Sequence, residues 1–158
     1  SASRPAPPSS TSIGGAPVRK PITMERALAG EAGHVQLTPS LSADQVRRLE
    51  RCAARLALNC SATIRHALAR LDAYVSAGNP PPYAEVPSIG TGTRRLSSAA
   101  VRAGADGWAM PTYSLQTPAA RLLHRLAVRT RRNYSAVVRA ALVVVERELA
   151  GELAARAA

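Results

Sequence analysis

The chain carries the same short pattern twice, 74 residues apart. Residues 59–68 read NCSATIRHAL, and residues 133–142 read NYSAVVRAAL. In the same register three earlier residues recur: Leu49, Ala53 and Arg55 correspond to Leu123, Ala127 and Arg129. One unit of this size cannot bury its own apolar face, whereas two units can bury their faces against each other. The repeat therefore predicts one domain built from two similar halves.

A segment with strand-like alternation precedes each copy. The apolar residues of each segment share one parity: Val35, Leu37, Pro39 and Leu41 in the first, and Tyr113 and Leu115 in the second. Such alternation is typical of a strand with one buried face. Because Pro39 cannot donate a ladder hydrogen bond, we expect the paired part of the first strand to end before it.

Two helices are predicted after each strand. Ser42 and Gln45 have the spacing of a capping box, and Thr117-Pro118 predicts a helix start with Thr117 as the N-cap. We expect Ser61 and Ser135 to cap the second helices. Apolar residues at helical spacing predict the buried faces of the four helices. They are Val46, Leu49, Ala53 and Leu56; Ile64, Ala67, Leu68, Leu71 and Val75; Leu122, Leu123, Leu126 and Ala127; and Val138, Leu142, Val145 and Leu149.

The predicted boundaries follow changes in composition. Residues 1–33 are predicted to be a disordered N-terminal arm, since they begin rich in Pro, Ser, Gly and Ala, with one or two helical turns after Thr23 as a further option. Residues 34–158 are predicted to form the domain. Within it, residues 34–77 are the first unit, 78–108 a linker that could contain a short helix over 97–103, and 109–158 the second unit.

The charge is strongly positive and lies mainly in the two units. The chain has 21 basic and 10 acidic residues, for a net charge of +11, and Lys20 is the only lysine. Residues 34–77 carry six arginines and three acids, and residues 109–158 carry eight arginines and three acids. This balance indicates a polyanionic partner, either nucleic acid or an anionic membrane surface.

Several other functions find no support in the sequence. The longest apolar run, residues 140–145, is far shorter than the roughly 20 residues of a membrane-spanning helix. Cys52 and Cys60 stand where the other copy has Leu126 and Tyr134, so we expect free, buried thiols and a cytoplasmic location. No motif for metal, cofactor or catalysis is present, and we expect neither a metal, a cofactor nor an enzyme.

A strand, a Ser/Thr helix start, an Asn-x-Ser turn and a helix containing (Ile/Val)-Arg-x-Ala-Leu resemble the ribbon-helix-helix family of DNA-binding proteins. The second unit, residues 113–142, matches this pattern closely, and the first is looser because Pro39 and extra serines follow its strand. The resemblance implies a mainly α fold with a two-stranded antiparallel β-ribbon, in which the two units form a pseudo-twofold intramolecular dimer. Tandem versions resemble accessory proteins of conjugative or T-DNA-type DNA transfer, which assist a relaxase.

The predicted base contacts are the alternate residues of the two strands whose side chains face away from the core. If the apolar parity faces the core, five polar residues face outward: Gln36, Thr38, Thr112, Ser114 and Gln116. Glutamine can pair bidentately with adenine, and Ser or Thr can bond several base edges. Ser40 is a weaker candidate because it adjoins the proline. The alternative interpretation is an ordinary solvated strand face.

The predicted phosphate contacts lie at the starts of the second helices. The resemblance implies that backbone amides near Ser61 and Ser135 bind phosphates, and Arg131 and Arg132 would add a contact on one side. Arg65 and Arg139 share a repeat position, and we expect both to be surface arginines, either structural or in contact with phosphate.

Three functions follow from these patterns. The first is sequence-specific binding of double-stranded DNA as a transfer accessory factor, with a relaxase or another DNA-processing protein as a further partner. The second is a transcriptional repressor or antitoxin-type autoregulator. The third is a helical protein–protein adaptor with no specific DNA binding. We expect a monomer in solution, although the linker is long enough for a domain-swapped dimer.

Overall fold

The computed structural model describes residues 20–86 and 94–151. Within these ranges the predicted fold class is confirmed as mainly α with short antiparallel β pairing. The helices are α1 (Met24–Leu28), α2 (Ala43–Leu56), α3 (Cys60–Ser76), α4 (Ser98–Arg102), α5 (Thr117–Thr130) and α6 (Tyr134–Leu149), with a 3-10 turn at Tyr83–Glu85. The strands are β1 (His34–Leu37), β2 (Leu41–Ser42), β3 (Trp108–Ala109) and β4 (Tyr113–Gln116).

The strands pair between the two repeats in one continuous register. β1 is antiparallel to β4 and β2 is antiparallel to β3. Val35 faces Leu115 in the first pairing, and Leu41 faces Ala109 in the second. Leu41 lies six residues after Val35, and Ala109 lies six residues before Leu115, so the two pairings share one register. We call the whole of residues 34–42 and 108–116 the ribbon.

The break between the two pairings falls at proline. On the shared register Pro39 lies opposite Pro111, and neither residue has a backbone N–H to donate. β1 ends at Leu37, before Pro39 as predicted, and a separate two-residue pairing of β2 with β3 begins beyond the proline at Leu41. Beside the prolines, the hydroxyls of Thr38 and Thr112 lie 3.5 Å apart at the middle of the ribbon.

The inward face of the ribbon packs on the four long helices. Val35, Leu37, Leu41, Ala109 and Leu115 are all buried in one core with those helices. α3 and α6 pack against each other, and α2 and α5 flank them. The predicted stripes are confirmed: their central residues are buried, while Leu56, Val75, Leu122 and Leu149 at the margins are partly buried. No helix within residues 20–86 and 94–151 combines the length and apolar character needed to cross a membrane.

Three predicted helix caps are wrong. The side chains of Asn59 and Asn133, rather than Ser61 and Ser135, accept the backbone N–H bonds that cap α3 and α6. Gln116 occupies the N-cap position of α5 without a side-chain cap bond, and Thr117 is already helical. The Thr117 hydroxyl instead donates to the carbonyl of Glu31 at 2.7 Å. The Ser42–Gln45 capping box of α2 is confirmed.

The repeat extends further toward the N-terminus than the sequence pattern indicates. Thr23 caps α1 and Ser97, 74 residues later, caps α4. The N–H of Ile22 donates to the carbonyl of His34 at 2.8 Å, and the N–H of Leu96 donates to that of Trp108 at 2.7 Å. Each half therefore begins with an edge segment and a short helix beside one end of the ribbon.

These elements correct two of the expected boundaries. Residues 20–33 were expected within a disordered arm, with one or two helical turns after Thr23 as an option. They form α1 after the Thr23 cap and pack on the domain through Ala27, which is fully buried. Residues 94–108, expected within the linker, contain α4, where a short helix over 97–103 was predicted, and the first residue of β3. The part of the disordered-arm prediction that falls on residues 1–19 lies outside the described residues.

Candidate nucleic-acid interface

The structure places the five predicted base-contacting residues on one face of the ribbon. Gln36, Thr38, Thr112, Ser114 and Gln116 are all exposed, and we call them the ribbon face. Gln36 lies opposite Ser114, and Thr38 lies beside Thr112. The five residues of the ribbon face thus offer amides and hydroxyls, which both donate and accept hydrogen bonds, and none of the five is charged.

Ser61 and Ser135 bind the ribbon rather than capping helices. The N–H of Ser114 donates to the Ser61 Oγ at 3.1 Å, and the N–H of Ser40 donates to the Ser135 Oγ at 2.9 Å. Each serine therefore ties the first turn of a second helix to a strand that comes from the other repeat. Ser40, the weaker candidate, is partly buried through these contacts.

Arg139 is buried, which corrects the expectation of a surface arginine. Its side chain is 3% exposed, and its Nη1 donates to the Ser40 carbonyl at 2.8 Å. Burial lowers the pKa of its guanidinium, and its Nε has no hydrogen-bond partner within the described part of the chain. Arg65, at the same repeat position, is exposed. The sequence gives no signal of this difference, because both helices carry arginine in the same local pattern.

Arg131 and Arg132 both lie exposed just before α6. Arg131 adopts the left-handed conformation, with φ of 59°, that ends α5, as Ala57 does after α2. The guanidinium of Arg132 stacks over the Tyr83 ring at 5.1 Å, and the Tyr83 hydroxyl lies 2.6 Å from that of Thr130. Neither arginine forms an ion pair with any described residue.

Acidic residues neutralise arginines at the far end of α6. Glu146 accepts hydrogen bonds from Arg48 and Arg51, and Glu148 accepts from Arg70. Burial alone would raise the pKa of Glu146, but the two arginines outweigh it and the pKa is lowered. Glu146 lies 11 residues after Ser135, about 16 Å along the helix. The positive charge at the ribbon end of α6 is therefore left without this neutralisation.

One feature near the ribbon has no counterpart in the sequence-based predictions. The Arg95 guanidinium lies 5.7 Å from the ring centroid of Trp108, and Arg95 forms a parallel bridge with Trp108. Within residues 94–108 the short helix was predicted, but the segment at Arg95 and the two-residue strand are too brief to produce a periodic pattern. Only the tryptophan beside an arginine-rich stretch could have drawn attention to them.

Both cysteines are free, with Cys52 buried and Cys60 partly buried. Burial raises the pKa of each thiol, which keeps both protonated and unreactive at neutral pH. Across residues 20–86 and 94–151 no three His, Cys, Asp or Glu side chains come together as a metal site.

Comparisons of the chain with models of protein families, with curated proteins and with solved structures found no match.

Proposed function

We propose that this protein binds double-stranded DNA sequence-specifically by inserting the ribbon into the major groove. The observation that carries the proposal is the ribbon face, on which five exposed amide and hydroxyl side chains lie together on a two-stranded ribbon. The major groove, about 12 Å wide, admits a two-stranded ribbon, and these groups can bond base edges there. The net charge of +11 favours the polyanionic duplex.

We further propose that the two halves act as a pseudo-twofold, tandem ribbon-helix-helix unit. Pairs of features 74 residues apart support this arrangement. Asn59 and Asn133 are both N-caps, and the two bonds from the ribbon to Ser61 and Ser135 are equivalent under this spacing. The axis would pass between Thr38 and Thr112, which are also 74 residues apart.

The phosphate contacts in this proposal flank the ribbon. Ser61 and Ser135 stand in the first turns of α3 and α6, where unpaired N–H groups and the helix dipole favour an anion. Arg131 and Arg132 add charge on the α6 side, whereas Ala57 and Leu58 occupy the corresponding places before α3. The proposed contacts are therefore unequal on the two sides, and the DNA site need not be a palindrome.

The cellular role that we propose is an accessory factor in conjugative or T-DNA-type DNA transfer, acting as a monomer beside a relaxase. This role rests on the resemblance of the tandem pattern to such proteins. Transcriptional repression is the second candidate, because the same asymmetric duplex recognition would serve at an operator.

Capture of fragmented source DNA by the purified protein, followed by sequencing, tests the proposal. At about physiological salt we expect a sharp peak beside a nick site or transfer origin. A peak over a promoter would instead assign the repressor role. A flat profile would remove the proposal of specific binding and favour the protein–protein adaptor.

A triple variant of the ribbon face and a control variant test whether the ribbon face carries the sequence preference. Replacing Gln36, Thr112 and Ser114 together with alanine should weaken binding to the captured site by about tenfold or more, because base-edge bonds are lost. Binding to unrelated duplex should change little, since the phosphate contacts remain. Ser76→Ala, an exposed change at the end of α3, serves as the control.

A further inference from the structure

The two ends of the ribbon present different side chains. At one end His34 faces Gln116, and we call this the Gln116 end. At the other, the Trp108 end, Ser42 faces Trp108. On the basis of the proposed function, we infer that Arg95, held over Trp108, reads a guanine at the Trp108 end of the DNA site and so gives the site its direction.

The side chains that can contact a base differ between the two ends of the ribbon. Gln116 makes no side-chain cap bond to α5, so its amide is available to a base. Ser42 occupies the corresponding position before α2, but its hydroxyl accepts from the N–H of Gln45 at 3.2 Å. The Ser42 hydroxyl thus already accepts a capping bond and has a single O–H left to donate, whereas an amide or a guanidinium can bond a base edge through two atoms.

The backbone delivers Arg95 to this position. The N–H of Trp108 donates to the Arg94 carbonyl at 2.9 Å, and the N–H of Leu96 donates to the Trp108 carbonyl at 2.7 Å. Bridged residues on neighbouring strands project to the same face, and Trp108 shares the parity of Thr112 and Ser114. Arg95 is therefore placed on the same side as the ribbon face, where it is exposed.

The fit of this segment depends on a glycine. A Cβ on Gly107 would lie 2.4 Å from the Arg94 carbonyl oxygen, and the residue has a φ of +151°. Only glycine allows the chain to pass this close, which fixes the Arg94–Leu96 segment against the ribbon. The stacking of Arg95 on the indole then restricts its rotamers, which lowers the cost of ordering it on DNA.

The chemistry of arginine selects guanine. A guanidinium can bond guanine O6 and N7 together, and this is the commonest specific contact in the major groove. At the Gln116 end the equivalent of Arg95 is Pro21, which has no such group, although the N–H of Ile22 bonds the ribbon as that of Leu96 does. The guanine contact is therefore expected at one end of the site alone.

Selection of binding sites from a randomised duplex library tests the inference. Wild-type protein should show a guanine preference at one edge of its site, and Arg95→Ala should abolish it, with a loss of about tenfold in discrimination there. Preferences at the opposite edge, about 26 Å away along an extended ribbon, should be retained. Trp108→Leu should weaken the same preference while keeping the arginine charge. Circular dichroism checks that both variants fold.

Arg94→Ala is the matched control, since Arg94 is the neighbouring exposed arginine. It should lower affinity for all sequences without changing the preference. If Arg95→Ala behaves like Arg94→Ala, Arg95 contacts phosphate and the inference is overturned. A wild-type preference that survives Arg95→Ala also overturns it but leaves the proposed function standing. A wild-type protein that selects no sequence at all removes both.

Discussion

The two arginines that share one repeat position have different surroundings in this molecule. Arg139 is buried with one bond to the Ser40 carbonyl, while Arg65 is exposed in the other half. A buried charge is costly to desolvate, so Arg139 depends on that carbonyl, and the carbonyl depends on it. Arg139 thereby fixes the strand residue that follows Pro39, beside the ribbon face.

The two arginines are expected to respond differently to removal. Arg139→Ala leaves the Ser40 carbonyl unpaired and opens a cavity, and should lower the free energy of unfolding by about 2–3 kcal/mol. Arg65→Ala should change it by less than about 0.5 kcal/mol. Urea denaturation followed by circular dichroism measures both. Equal effects of the two substitutions would show that Arg139 is not held as described.

Glu146 is expected to make the fold sensitive to acid. Its pKa is lowered in the folded state from the usual 4.5, so its stabilising contribution is complete above that value and is lost as the pH falls through the lowered folded-state pKa. Glu146→Gln should therefore lose less stability between pH 7 and pH 3 than the wild type does. Glu50→Gln, at an exposed carboxylate with no ion pair among the described residues, is the control for urea midpoints at both pH values. An unchanged loss in Glu146→Gln would contradict the prediction.

At the scale of elements, the second helices and the ribbon are joined by side-chain bonds that cross between the repeats. Ser61 holds the backbone of Ser114, and Ser135 holds that of Ser40. These serines act on a strand distant in sequence, while the adjacent asparagines cap the helices. The ribbon is therefore positioned by the same helix starts that we propose for phosphate contact.

Hydrogen exchange can separate these two roles. Ser61→Ala should accelerate exchange of the Ser114 amide, because that N–H loses its acceptor on the helix. Asn59→Ala should instead accelerate exchange of the Ala62 amide, because the Ala62 N–H donates to the Asn59 Oδ1 at 2.8 Å and would lose this acceptor. Amide-resolved NMR measures both. If Ser61→Ala exposed the Ala62 amide and left that of Ser114 protected, the serine would be the cap after all.

The sequence predicted the helices and the ribbon well, and the helix caps and the contacts between distant segments poorly. Helical stripes such as Ile64, Leu68 and Leu71 span several turns, so their period is unambiguous, and the parity of the ribbon is clear over nine residues. The cap assignments failed because Asn and Ser two residues apart are both good caps, and only the tertiary bond to the ribbon distinguishes them. The burial of Arg139 and the stacking of Arg95 depend on contacts with sequence-distant segments, which no local pattern reports.

At the scale of the whole molecule, each repeat includes more than one ribbon strand and two long helices. The edge segment and short helix of residues 20–33 cover one end of the ribbon, and those of 94–107 cover the other. In the first, Ala27 is buried and the Glu31 carbonyl accepts from Thr117, so the segment contacts the opposite half. The domain is thus closed at both ends by segments that precede the ribbon strands.

Truncation tests the first of these segments. A chain that begins at Lys20 retains the contacts of α1 and of the Glu31 carbonyl. A chain that begins at His34 loses them and should be less stable by about 2 kcal/mol or more. Thermal unfolding of the three lengths compares them. Equal stability of the two truncated chains would mean that residues 20–33 do not belong to the domain.

Pairing of β1 with β4 takes place within one polypeptide. A ribbon assembled from two separate chains requires those chains to dimerise. At low concentration the amount of dimer varies with the square of the chain concentration. Here the second strand is always present at the effective concentration set by the tether. Occupancy of a DNA site would then rise in simple proportion to the number of molecules, with no threshold for assembly, even at a few copies per cell.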